Sequence, residues 1–69
     1  MIDELIKYCQ ENGYRFEKGR NWCDCVDYTT YLRFEIRDEH HTLFELDDGG
    51  YRLDNKKVAT FEEVLNAIH

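Results

Sequence analysis

Three cysteines, three histidines and fifteen carboxylates are the reactive side chains of this 69-residue chain. Cys23-Asp24-Cys25, with Cys9 upstream and His40-His41 downstream, offers the ligand types of a zinc site. Structural zinc sites draw paired cysteines from a knuckle with two to four residues between them. A lone residue between Cys23 and Cys25, in a stretch that reads as extended, does not make that knuckle. Cys9 falls in a helical apolar stripe, where a free cysteine behaves as a small hydrophobe. A redox pair needs its cysteines two residues apart at a helix start, which the chain does not offer. His40 and His41 read as solvent-facing residues of a polar turn.

Nucleophilic and acid–base chemistry fare no better. The chain has no serine, and it shows no nucleophile elbow, phosphate-cradling loop or HExxH pair. Two carboxylates divide acid and base roles only where their surroundings separate their pKa values. Asp38, Glu39, Asp47 and Asp48 instead fall in turns that water should reach. Asp47-Asp48-Gly49-Gly50 lacks the alternating ligands and terminal glutamate of a calcium loop and reads as a hairpin turn. The expectation is a protein with no catalytic residue, metal or cofactor, acting by binding.

The elements that must position any binding surface follow from periodicity. Ile2, Leu5, Ile6 and Cys9 repeat as one helical stripe. Asp3 and Glu4 suit the first turn of that helix, and Asn12-Gly13 suits its end. Tyr14 to Lys18 alternates as a strand, Gly19-Arg20-Asn21 reads as a turn, and Trp22 to Val26 reads as a second strand. The faces of that second strand are ambiguous: burying Asp24 is costly, which places Cys23 and Cys25 inside and Trp22 and Val26 outside. Thr29 to about Arg37 is the clearest strand, with Leu32, Phe34 and Ile36 on one face and Tyr31, Arg33 and Glu35 on the other. Asp38 to His41 reads as a turn. Thr42 to Leu46 reads as a strand with Phe44 and Leu46 inward and Leu43 and Glu45 outward. Asp47 to Gly50 turns again, and Tyr51 to Leu53 is a short strand. Asp54 to Lys57 reads as a further turn, and Val58 and Ala59 either add a brief edge strand or lead directly into a last helix with Phe61, Val64, Leu65 and Ile68 on one stripe and a Thr60–Glu63 capping box.

The fold expectation is α+β: one domain over residues 1–69, with two helices on one face of a three- to four-stranded antiparallel sheet and the other face open. A chain this short buries only roughly 60% of its unfolded surface. The element order resembles that of double-stranded-RNA-binding domains. Leu5-Ile6 through Asn12-Gly13-Tyr14-Arg15-Phe16 is similar to the start of HicA-type toxins, which are small ribonucleases. Those toxins continue with a Gly-Ser-His segment that carries their catalytic histidine, whereas this chain has Gly19-Arg20-Asn21-Trp22. The RNA-binding domains place lysines at the second helix, where this chain has Thr60-Phe61-Glu62-Glu63. The resemblances imply a shared topology and neither activity.

Nine basic residues against fifteen acidic ones give a net charge of −6. That balance favours basic partners and disfavours nucleic-acid backbones and anionic membranes. The N-terminus lacks a signal-peptide pattern, no window is apolar enough to span a bilayer, and an odd cysteine count fits a reduced, cytoplasmic protein. Two surfaces are candidates for partner binding. The open sheet face carries Tyr31, Arg33, Arg37, Leu43 and Glu45, with Trp22 beside them, and Tyr, Trp and Arg concentrate interface energy. The turns carry Asp38, Glu39, Asp47 and Asp48, which can imitate phosphates in a basic groove. The sequence thus points to a small acidic protein-binding domain, an inhibitor or adaptor of a basic-surfaced nucleic-acid enzyme of phage or mobile-element type. The alternatives are a nucleic-acid-binding module using the open face and a homodimer formed through a sheet edge near Tyr51 to Val58.

Overall fold

The computed structural model describes residues 1–21 and 26–69. Trp22, Cys23, Asp24 and Cys25, and the expectations attached to them, lie outside the described residues. Two helices flank five strands: α1 (Ile2–Asn12), β1 (Arg15–Arg20), β2 (Tyr28–Ile36), β3 (Glu39–Leu46), β4 (Tyr51–Leu53), β5 (Lys56–Val58) and α2 (Phe61–Ile68). The strands form one antiparallel meander in the order β1-β2-β3-β4-β5. The α+β architecture is as expected, but the sheet has five strands rather than three or four.

Local chemistry explains the helix ends. Gly13 takes a left-handed conformation at φ 71°, which costs glycine nothing. Tyr14 N–H then donates to the Cys9 carbonyl and Gly13 N–H to that of Gln10, closing α1 with a Schellman motif. At α2 the Thr60 hydroxyl accepts from Glu63 N–H at 3.2 Å, so half of the capping box forms. The His69 ring packs edge-on against Tyr8, and its Nε2 hydrogen-bonds the Tyr8 hydroxyl.

The sheet register is set by turns of two residues. Ile36 pairs with Glu39, so the β2–β3 turn is Arg37-Asp38, at φ 51° and 67°. Positive φ at both central residues is the requirement of a type I′ hairpin. The expected turn over Asp38 to His41 is therefore wrong, and His40 and His41 belong to β3. The same register puts Leu43 opposite Leu32. Leu43 is fully buried, correcting its expected outward position, and Glu45 shares its face while Phe44 points the other way. Thr42 to Leu46 holds apolar residues in both phases, so its own pattern could not decide; the hairpin did. A second two-residue turn, Asp54-Asn55, joins Leu53 to Lys56 and creates β5 where a turn was expected. Gly19 and Arg20 likewise continue β1 instead of turning.

The inner face forms one row across five strands: Lys18, Leu32, Leu43, Leu53 and Lys56. Its three leucines are buried and its edge positions are lysines. Ile2, Leu5 and Cys9 of α1 and Val64 and Ile68 of α2 join the same cluster with Phe34, Ile36 and Val58. Both helices thus cover one face, and among the described residues no element covers the other.

Leu43→Ala should cost about 2–5 kcal/mol, against roughly 4–10 kcal/mol in total for a domain of this size. The urea midpoint should then fall by a fifth or more of its value, and a loss under about 1 kcal/mol would contradict the buried placement. Replacing Arg37-Asp38 by Asn-Gly should instead raise stability by about 1 kcal/mol by relieving positive φ. An unchanged or lowered midpoint would contradict the I′ turn.

Candidate functional site

The open face is built from the residues that alternate with the core row. A second row crosses all five strands: Gly19, Tyr31, Phe44, Arg52 and Lys57. A Cβ at Gly19 would lie 2.3 Å from the Tyr31 ring, so the tyrosine ring lies flat across the glycine. The glycine is needed for that approach and not for a turn. Tyr28 joins the row from the end of β2. Strict alternation would place Tyr28 on the core face with Leu32, but the register shifts between Tyr28 and Thr30. This bulge turns Tyr28 outward, and its ring centroid sits 4.7 Å from Phe44 and 6.1 Å from Tyr31. The Arg52 guanidinium lies 4.8 Å from the Phe44 centroid, within cation–π range, and donates to Asp27 Oδ2 at 3.0 Å.

Below this patch the charges alternate. Arg33 pairs with Glu17 on one side and Thr42 on the other, and Glu35 pairs with Arg15 and His40. Together with Phe16, Phe34 and His41, these six residues line an open depression of 430 Å³. Each arginine thus has a carboxylate as cross-strand neighbour, an arrangement that stabilises antiparallel pairs.

Of the residues expected at a binding surface, Tyr31 and Arg33 lie on the open face. Arg37 and Asp38 form the β2–β3 turn, and Glu39 opens β3 beside them. Asp47 and Asp48 lie in the β3–β4 turn at the opposite end of β3, roughly 25 Å away at a strand's rise per residue. The acidic turns are therefore two clusters rather than one. Asp47 N–H donates to the Asp27 carbonyl at 2.9 Å, which brings Asp27, Asp47 and Asp48 together next to Tyr28. Leu43 is core, and Glu45 faces the helices, 3.5 Å from the Tyr51 hydroxyl. Sequence reasoning missed Tyr28, Phe44 and Arg52. Phe44 and Arg52 could have been found by testing a two-residue β2–β3 turn; nothing in the pattern signals the bulge that turns Tyr28.

His41, Asp54 and Cys9 are tied into the fold. His41, expected in solvent, is half-buried against Phe34 and bonds Asp54 Oδ2 through Nδ1 at 2.9 Å. Asp54 also accepts from Thr42 N–H, so one carboxylate ties β3 to the β4–β5 turn. Nε2 of His41 is buried without a hydrogen bond, 3.6 Å from Glu39. Cys9 is buried, which pushes its thiol above the usual range. Among the described residues, no group of three or more His, Cys, Asp or Glu could hold a metal, and no helix is long and apolar enough to cross a membrane.

No protein-family model matches the chain, and no curated protein or solved structure matches it. Function has to be read from the surfaces themselves.

Burial, then the Glu45 carboxylate, raises the pKa of Tyr51 above its ordinary 10.0, and burial raises that of Tyr8. A pKa raised by folding contributes stability in full below the unfolded value and loses it as pH climbs through the folded one. The urea midpoint should therefore fall as pH rises above 10.0, and Tyr51→Phe should flatten that fall. An identical slope in Tyr51→Phe would contradict the half-buried hydroxyl.

Proposed function

We propose that this domain acts by binding a protein through its open sheet face, as an inhibitor or adaptor of a partner with a basic surface. The observation that carries the reading is the Gly19–Tyr31–Phe44–Arg52–Lys57 row, which crosses every strand on the face that neither helix covers. Tyr28, Tyr31 and Phe44 give rigid aromatic area at low entropic cost, and Arg52 is already oriented by Asp27 and the Phe44 ring. Aromatic and arginine side chains of this kind anchor protein interfaces. Asp27, Asp47 and Asp48 form an acidic rim on one side. With a net charge of −6, that rim steers basic partners toward the patch and repels acidic ones.

The nucleic-acid reading is weaker on the same face. Aromatic rings and arginines can stack bases, but Glu17 and Glu35 interleave with Arg15 and Arg33. Those carboxylates would stand against the phosphates that such binding must neutralise. A basic nucleic-acid enzyme as the partner is the sharpest form of the protein-binding reading, since acidic turns there take the place of phosphates.

The test is capture from host lysate by immobilised protein after nuclease treatment, compared across variants. The expected result is a basic protein retained in stoichiometric amount. Its affinity should fall about 30-fold or more with Tyr31→Ala, as for an interface anchor, and less, in a salt-dependent way, with Asp47→Asn plus Asp48→Asn. Arg33→Glu, at an exposed position, checks the face without touching the aromatic cluster. Retention indifferent to Tyr31→Ala and Arg33→Glu would overturn the proposal. Recovery of nucleic acid alone, lost steeply with salt, would replace it with the nucleic-acid reading.

A further inference from the structure

The two edges of the sheet differ in a way that bears on self-association. β5 is three residues long and presents exposed Lys56 and Lys57, a common device against edge pairing. β4 lies between β3 and β5 and is no edge, so only part of the expected Tyr51 to Val58 edge exists. β1 is six residues long, and it carries Phe16, one of the exposed large hydrophobics at 37%.

The hydrogen-bonding direction of β1 follows from the hairpins. Ile36 and Glu39 close a two-residue turn and form a hydrogen-bonded pair, so Phe34 and Leu32 also point their main-chain groups toward β3. Thr42 N–H and C=O turn the opposite way and bond Asp54, which agrees with this phase. Glu35, Arg33 and Tyr31 therefore bond β1, as does Thr29, whose carbonyl accepts from Asn21 N–H. Their partners are Arg15, Glu17 and Gly19. The N–H and C=O groups of Phe16 and Lys18 point off the sheet.

We propose that two copies of this chain associate through β1 in an antiparallel two-fold pairing centred on Phe16, forming one ten-stranded sheet. Strand addition keeps side-chain faces aligned, so residues of like parity oppose each other. Centring on Lys18 sets lysine against lysine and Phe16 against Arg20. Centring on Glu17 sets glutamate against glutamate. Centring on Phe16 sets Arg15 of each copy against Glu17 of the other on the outer face, and places the two Phe16 rings side by side on the inner face. The two Phe16 residues exchange both main-chain hydrogen bonds, and each Lys18 N–H reaches the Tyr14 carbonyl of the other copy. Tyr14 N–H is already committed to Cys9 and is not needed. The charge pattern of β1 is self-complementary in this register, whereas the paired lysines of β5 repel their own copies. The inference is independent of what binds the open face.

Such an edge buries less than a standard interface of roughly 1,200–2,000 Å², so the dimer should form at about 1–100 µM. Sedimentation equilibrium on the intact protein tests it. The expected mass rises from 8.4 kDa toward twice that value as concentration increases through this range. Arg15→Glu and Glu17→Arg should each shift dimerisation to at least about tenfold higher concentration, a cost of about 1.4 kcal/mol. In each variant the β1 pairs become like-charged. Mixed in equal amounts, the two variants should associate with each other, because every cross-strand pair is then opposite in charge. Amide exchange of Phe16 and Lys18 in the unmodified protein gives a second readout, with protection growing as the dimer forms. A wild-type monomer at about 500 µM, variants that dimerise as the wild type does, or folded variants that stay monomeric when mixed would each overturn the proposal.

Discussion

Leu32 lies directly across from Leu43, and both are fully buried. Much of this molecule depends on that registration. A one-residue slip between β2 and β3 would carry every side chain of β3 to the other face, placing Phe44 against the helices and Leu43 in water. The registration is held by Arg37 and Asp38, both at positive φ without being glycine, at a cost of about 1–2 kcal/mol each. Burial of a leucine contributes about 1.5–3 kcal/mol, and the row Leu32–Leu43–Leu53 depends on the turn for its alignment. The strain of the turn is offset by the core row it creates. The same turn composes the open face: once Leu32, Leu43 and Leu53 point inward, Tyr31, Phe44 and Arg52 are brought into line on the other side.

What the sequence made legible were the elements whose pattern admits one phase. The stripe of Ile2, Leu5 and Cys9, the alternation of Leu32, Phe34 and Ile36, and the Thr60 cap each allow a single reading, and the structure has them. The segment Leu43-Phe44-Glu45-Leu46 admits two phases, and only the length of the preceding turn selects between them. Asp38-Glu39-His40-His41 is polar enough to look like a long turn, yet His41 is fixed by Asp54 and Phe34. Gly19 is the opposite case: a residue that reads as a turn serves in mid-strand because a tyrosine ring must lie on it. The candidate site was legible in Tyr31 and Arg33 and illegible in Tyr28, whose orientation comes from a bulge at Thr29. Bulges leave no signature in a pattern of alternating residues, so any period-two reading of β2 sends Tyr28 into the core.

Charge is distributed as unevenly as apolarity. The open face mixes Arg15, Arg33, Arg52 and Lys57 with Glu17 and Glu35, so its cations outnumber its carboxylates. The acidic excess sits on the helices and the turns, at Asp3, Glu4, Glu62 and Glu63 and around Asp47 and Asp48. In the proposed binding, an aromatic, mixed-charge face within an acidic body would separate two tasks. Long-range fields from the turns would decide which partners approach and at what rate, and short-range contact with the rings would decide which stay. Screening by salt weakens the first far more than the second. The two clusters of turn carboxylates lie at opposite ends of β3, so a partner spanning the face meets acid at both ends and aromatic or mixed-charge residues between. That geometry favours an extended basic ridge over a compact basic knob.

The edge and the face occupy adjacent parts of one surface, which gives their combination a mechanical consequence. Pairing through β1 makes the two sheets continuous, so the two open faces lie on the same side of a ten-stranded sheet and are related by the axis through Phe16. Each Tyr31 stands one strand in from that axis, on β2. A partner with repeated basic features could then engage both patches, and the second contact would form at an effective concentration set by this rigid spacing instead of by diffusion. A weak edge and a modest patch would together bind tightly without either being strong alone. A chain this short has little interior with which to build a deep site. Using two copies of a shallow surface lets such a chain present an area that its own core could not support.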